Sequence, residues 1–113
     1  MIAKAEEEVP TGLDPTAHAE VLAILRACQT LCSTDLSNTT LYTTAEPCWL
    51  CSYAVRQTNL ARVVYSRTSP SVGGVTSTYP ILLTTDVPFW GKPPEVLGGV
   101  LEEACTALTK AKA

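Results

Sequence analysis

The chain has 113 residues, enough for one domain around one modest core. Hydrophobic residues make up 46 % and charged residues 17 %, with a formal net charge of −3, so no dense basic stripe for gripping a phosphate backbone is present. No apolar run is long enough to cross a membrane, no signal-peptide pattern opens the chain, and five cysteines point to a reducing compartment, so the expectation is cytoplasmic.

In chain order, residues 1–8 read either as a short strand or as a frayed helix. Asp14 followed by Pro15 offers an N-cap and a first helical residue, and a helix is expected from there to about Cys32. Its expected apolar stripe is Val21, Leu25, Cys28 and Cys32. Ser33 to Thr39 is a polar turn, and Thr40 to Thr44 is a β-rich strand that delivers the chain to Glu46. A second helix is expected from Trp49 to about Thr58, with Pro47 at its start, and a strand over Ala61 to Ser66. Thr68 to Gly91 is rich in proline and glycine and reads as loops, with a short element at Tyr79 to Thr84. Pro94 to Gly98 is a plausible last strand. Val100 to Lys110 is expected as a terminal helix burying Leu101, Ala104, Cys105 and Leu108. Helices alternating with strands predict a layered α/β domain with a mainly parallel later sheet, and residues 1–113 form a single domain.

Two segments carry chemistry: His18-Ala19-Glu20, and Pro47-Cys48-Trp49-Leu50-Cys51. A catalytic zinc ion takes three protein ligands and leaves one position open. His18 is the single histidine, and Cys48 and Cys51, three apart, share one helix face. The positive end of that helix favours thiolates. A Cys-x-x-Cys pair alone also fits a redox pair or half of a structural zinc site. A structural site needs a fourth ligand, however, and redox chemistry has no use for the upstream histidine and glutamate.

The pattern His-x-Glu followed by Pro-Cys-x-x-Cys is the signature of zinc nucleobase deaminases. The chain therefore resembles the cytidine deaminase-like superfamily, with wording nearest to the tRNA adenosine deaminase and guanine deaminase branch. The resemblance implies a three-layer cytidine deaminase-like fold, a mixed sheet flanked by helices. It implies Zn²⁺ held by His18, Cys48 and Cys51, and Glu20 as the proton carrier that is not itself a ligand. Backbone N–H groups beside Cys48 are expected to help hold the attacking oxygen. Gly99 to Cys105 is similar to the closing helix of tRNA adenosine deaminases.

The family domain usually begins with a helix and a strand that precede the segment matching Met1, so the chain is read as N-terminally shortened. That family strand lies inside the sheet, so residues 1–8 must move into its slot, pair with another subunit, or remain disordered. Relatives carry a base-binding asparagine eleven residues before the zinc histidine. Counting back from His18 reaches Glu7, which reads either as a substrate contact or as a solvated member of the Glu6-Glu7-Glu8 run. Ala17 and Trp49, beside ligands, are further candidate substrate contacts, Trp49 reading equally as buried packing. Trp90, with Phe89, reads as a stacking lid or as a hydrophobic plug. Cys28, Cys32 and Cys105 read as small core residues.

The expected function is hydrolytic deamination of a guanine- or cytosine-type nucleobase or nucleoside, with release of ammonia. Adenosine or cytidine in RNA or single-stranded DNA is the alternative substrate, and a zinc-stabilised non-catalytic binding module is the alternative of another class. The expected partners are a small-molecule substrate and a second copy of the chain, with nucleic acid possible and no membrane.

Overall fold

The structure is a computed structural model that describes residues 3–5, 18–99 and 106–110. In chain order the elements are β1 (Ala3–Ala5), α1 (Ala19–Leu31), β2 (Thr39–Ala45), α2 (Trp49–Gln57), β3 (Arg62–Arg67), β4 (Glu95–Leu97) and β5 (Thr106–Lys110). The sheet order is β1-β5-β2-β3-β4. β2, β3 and β4 run parallel, with Leu41 opposite Val63 and Val63 opposite Val96. β5 is antiparallel to both of its neighbours, with Leu108 opposite Ala3 on one side and Leu41 on the other.

The parallel half follows from local sequence. Thr39 to Thr43, apart from Leu41, and Val63 to Tyr65 are β-branched or aromatic, suited to a covered sheet. Ala23, Ile24 and Ala27 of α1 and Val55 of α2 join Leu41, Val63, Leu36, Leu60 and Leu82 in one core. Leu41 and Val63 are fully buried, so truncating Leu41 to alanine costs about 2–5 kcal/mol. α2 ends at Gln57 with Thr58 as C-cap, and the left-handed φ of 56° at Asn59 lets Leu60 N–H bond the Val55 carbonyl at 3.3 Å. That turn aims the chain directly into β3.

Several expectations are corrected here. Thr106 to Lys110, expected in a terminal helix, is a strand: β1 and β2 each present an edge, and pairing with both outweighs a helical pattern. The slot that the family gives to its first strand is therefore filled from the other end of the chain. α1 begins at Ala19 with His18 as N-cap, later than Asp14-Pro15 predicts, and residues 14–17 lie outside the described ones. Its buried stripe is Ala23, Ile24 and Ala27; Leu25 is half exposed and Cys32 is exposed, while Cys28 packs against the core. The small alanines face inward because α1 lies close to the sheet. Tyr79 to Thr84 is a series of turns, without a helix or strand. Cys105 lies outside the described residues.

Candidate metal centre

His18 and Cys48 are both helix N-caps, in extended conformation, and neither side chain caps its own helix. Two helix N-termini thus converge on one point, and their unused side chains face each other. Pro47 stands two residues before the first helical residue, not at it; its carbonyl instead accepts from the Ser52 hydroxyl and from Gly74 N–H. Cys51 lies one turn into α2 and is fully buried.

The three donors form a triangle. Cys48 Sγ and Cys51 Sγ are 3.6 Å apart, and His18 Nδ1 is 3.6 Å from the first and 3.7 Å from the second. Tetrahedral zinc, with bonds of about 2.3 Å to sulfur and about 2.0–2.1 Å to nitrogen, requires ligand separations of about 3.6–3.8 Å. The donor set and its spacing therefore fit zinc without rearrangement. Among the described residues this is the one grouping of His, Cys, Asp and Glu that meets a metal's distance requirement.

Electrostatics agree with that role. Hydrogen bonding with Cys51, the Leu50 N–H and the nearby His18 bring the Cys48 thiol down to about 5, against the opposing effect of burial. Cys51 is pushed up by the same sulfur–sulfur hydrogen bond, by burial and by Glu20. Burial raises the Glu20 carboxyl above its ordinary range, with the Cys48 charge adding to the push. Glu20 also hydrogen-bonds Cys51, so the first turn of α1 carries the carboxylate to the donor triangle although it stands only two residues from His18.

The surrounding loop is held by residues that sequence reading passed over. Glu46, only 2 % exposed, accepts from the N–H groups of Ser69 at 3.0 Å and of Val75 and Thr76 at 2.7 Å each, and from the Thr76 hydroxyl. Burial pushes its carboxyl up, but these bonds together hold it below the ordinary range. Gly73 pairs in antiparallel fashion with Cys48, and a Cβ there would meet Glu46 Oε2 at 2.0 Å, so the loop approaches the ligand segment as closely as backbone allows. A carboxylate directly before Pro-Cys was the available signal. Arg56 is buried: its guanidinium donates to the carbonyls of Ile81, Leu82, Thr84 and Gly91.

The remaining candidate contacts separate. Trp49 is 36 % exposed beside Cys48, and its indole donates to Ser77 Oγ at 3.1 Å. Trp90 stands at the other end of α2, donating to Gln57 Oε1 at 2.6 Å, stacking on Arg56 at 4.8 Å and meeting Tyr53 edge-on. The recorded contacts of Trp90 thus belong to the loop anchor and not to the donor triangle. Glu7 and Ala17 lie outside the described residues.

The model of the family described as the cytidine and deoxycytidylate deaminase zinc-binding region matches residues 1–67. A tRNA-specific adenosine deaminase of Aquifex aeolicus is 44 % identical over 73 % of this chain and 54 % of its own length. A guanine deaminase of Bacillus subtilis is 42 % identical over 58 % of this chain and 42 % of its own. The chain thus spans about half the length of these curated relatives. Among solved structures, a tRNA deaminase studied for A-to-I editing at the wobble position superposes with a TM-score of 0.78. It is 32 % identical over 87 % of this chain and 69 % of that one. The cytidine deaminase-like fold expected from the sequence is the fold observed.

Proposed function

Since the chain belongs to the cytidine and deoxycytidylate deaminase zinc-binding family, we propose that it is a zinc-dependent hydrolytic deaminase of a nucleobase or nucleoside. The observation that carries this reading is the preformed His18–Cys48–Cys51 triangle with a buried carboxyl, Glu20, against it. When bound there, zinc supplies the Lewis acidity that activates a water near neutral pH. Glu20 takes one proton from that water and gives it to a ring nitrogen, then takes the second from the added hydroxyl and gives it to the departing amine, which leaves as ammonia. A carboxyl raised toward neutrality suits both transfers. The net change is one exocyclic amine and one water consumed, one carbonyl and one ammonia produced.

Guanine- and cytosine-type rings lead as substrates, in keeping with the charge distribution. Among the described cations Arg56 is buried in carbonyls and Arg62 pairs with Glu95 at 3.3 Å, while Arg26, Arg67 and Lys92 are exposed on a chain of net charge −3. The second reading, adenosine in RNA, is favoured by the likeness to the tRNA-specific adenosine deaminase of Aquifex aeolicus. The reading includes a homodimer, supported by exposed Leu25, Leu31, Tyr53 and Phe89, and a cytoplasmic location. No helix of the described residues is long and apolar enough to cross a membrane.

The test is ammonia release by zinc-loaded protein from guanine, cytosine and adenine, their nucleosides, and short RNA and DNA strands. Glu20→Gln retains the metal and lowers kcat by about 10²–10⁴-fold on the true substrate. No release from any compound by folded, zinc-loaded protein refutes the reading in favour of a zinc-stabilised binding module.

A further inference from the structure

Of the two cysteines in the donor triangle, Cys51 is fixed by its own helix and Cys48 is not. Cys51 lies within α2 and is fully buried. Cys48 is the N-cap, with extended backbone at φ −71° and ψ 179°, and its carbonyl opens the helix by accepting from Ser52 N–H at 2.7 Å. The turn that leads into Cys48 must therefore be held from outside α2. Only then does its sulfur stay 3.6 Å from both Cys51 Sγ and His18 Nδ1.

Glu46 supplies that hold. Its backbone belongs to the sheet: its N–H donates to the Arg67 carbonyl at 2.7 Å, one step beyond the pairing of Ala45 with Arg67. Its side chain leaves the sheet for the 69–76 loop. Oε1 accepts from Ser69 N–H and the Thr76 hydroxyl, and Oε2 from the N–H groups of Val75 and Thr76. One carboxylate thus ties both ends of that loop. The loop in turn closes on the ligand turn, with Gly73 paired to Cys48 and Gly74 N–H donating to the Pro47 carbonyl at 2.8 Å. The same carbonyl accepts from the Ser52 hydroxyl at 3.1 Å, so Pro47 is held by the loop on one side and by α2 on the other. The fit has no slack. A Cβ on Gly74 would lie 2.0 Å from Ser52 Oγ, and one on Gly73 would lie 2.0 Å from Glu46 Oε2 and 2.6 Å from the Ser69 carbonyl.

We propose that Glu46 is a positioning residue of the metal centre: by tying both ends of the 69–76 loop it fixes the Pro47-Cys48 turn, and so sets the coordination geometry at Cys48 and the hold on zinc. This role rests on the His18–Cys48–Cys51 triangle holding the metal, but not on catalysis. Groups one step behind a metal ligand typically change metal affinity by about 10–100-fold. Glu46 acts at that remove, through four hydrogen bonds and the loop they shape.

Two measurements on the full chain test it. One is the rate of zinc transfer to a coloured chelator; the other is the visible absorption of the Co²⁺-loaded protein, which reports coordination geometry. Glu46→Ala is expected to release zinc about 100-fold faster than wild type, and Glu46→Gln, which keeps one acceptor oxygen, about tenfold faster. In both, the cobalt bands weaken and shift. Gly73→Ala leaves the carboxylate in place but wedges the loop away from it, and moves both readouts the same way. Leu41→Ala, comparably destabilising but seated in the core, keeps the wild-type rate and spectrum. An unchanged release rate in the Glu46 variants overturns the role. Faster release with an unchanged cobalt spectrum overturns it too, because it marks general loosening; so does an equal effect in Leu41→Ala. Should Glu46→Ala not fold, Glu46→Gln and Gly73→Ala carry the comparison. If the wild-type chain binds neither metal, the zinc-site reading fails and this role fails with it. If it binds both metals yet releases no ammonia, the deaminase reading alone fails, and the variants still decide the role of Glu46.

Discussion

Removing the Glu46 carboxylate tests how the loop is held against the metal centre. In the folded chain Oε1 accepts from Ser69 N–H and the Thr76 hydroxyl, and Oε2 accepts from the N–H groups of Val75 and Thr76. Glu46→Ala leaves three N–H donors and one hydroxyl in a site where the carboxylate itself was 2 % exposed. At about 1 kcal/mol per stranded donor, the low end for such losses, the destabilisation is about 4 kcal/mol. Glu46→Gln keeps one oxygen and turns an NH₂ toward the other pair of donors. The Thr76 hydroxyl can reverse to accept, so the expected cost is about half, roughly 2 kcal/mol. Urea unfolding of wild type and both variants at matched zinc concentration reads these values directly. Because the folded carboxyl lies below its ordinary range, its contribution is present above the unfolded carboxyl's pKa of about 4.3 and is lost as pH falls through the folded value. The gap between wild type and Glu46→Gln is therefore constant from about pH 6 to 8 and closes in acid. A cost below about 0.5 kcal/mol for both variants, as for an ordinary surface change, refutes the reasoning.

Other outcomes follow from the same contacts. His18→Ala, Cys48→Ala and Cys51→Ala each drop bound zinc from one ion per chain toward none, as read by metal analysis after desalting; full retention in any of them shows that the ligand is elsewhere. Arg56→Met removes a buried cation from four carbonyls and is expected to cost about 3 kcal/mol in the same unfolding assay, whereas a neutral result means the carbonyls are hydrated. Trp90→Phe keeps the stacking on Arg56 but loses the bond to Gln57, lowering stability by about 1 kcal/mol while leaving zinc content unchanged. A loss of zinc in that variant places Trp90 at the metal centre after all.

The grouping of His18, Cys48 and Cys51, the two helices that begin beside them, and the parallel strands β2, β3 and β4 were legible in the residues themselves. They share a physical reason. Zinc accepts few donor types at few spacings, and short β-branched runs between capped helices leave few local alternatives. β4 was found from Val96 and Leu97 although only three residues form it. Contacts between distant segments were not legible. Local pattern gave Thr106 to Lys110 as helix, yet two open strand edges drew it into the sheet. Arg56 is buried because the loop carrying Ile81, Leu82, Thr84 and Gly91 folds over it, and nothing near Arg56 in the chain announces that loop. Glu46 declared no role until Ser69, Val75 and Thr76, more than twenty residues away, turned their N–H groups toward it. Helix caps, ligand spacing and strand propensity act within a few residues and can be read along the chain. The partners of a buried charge or of an open sheet edge come from elsewhere in the chain, and only tertiary packing decides which segment supplies them.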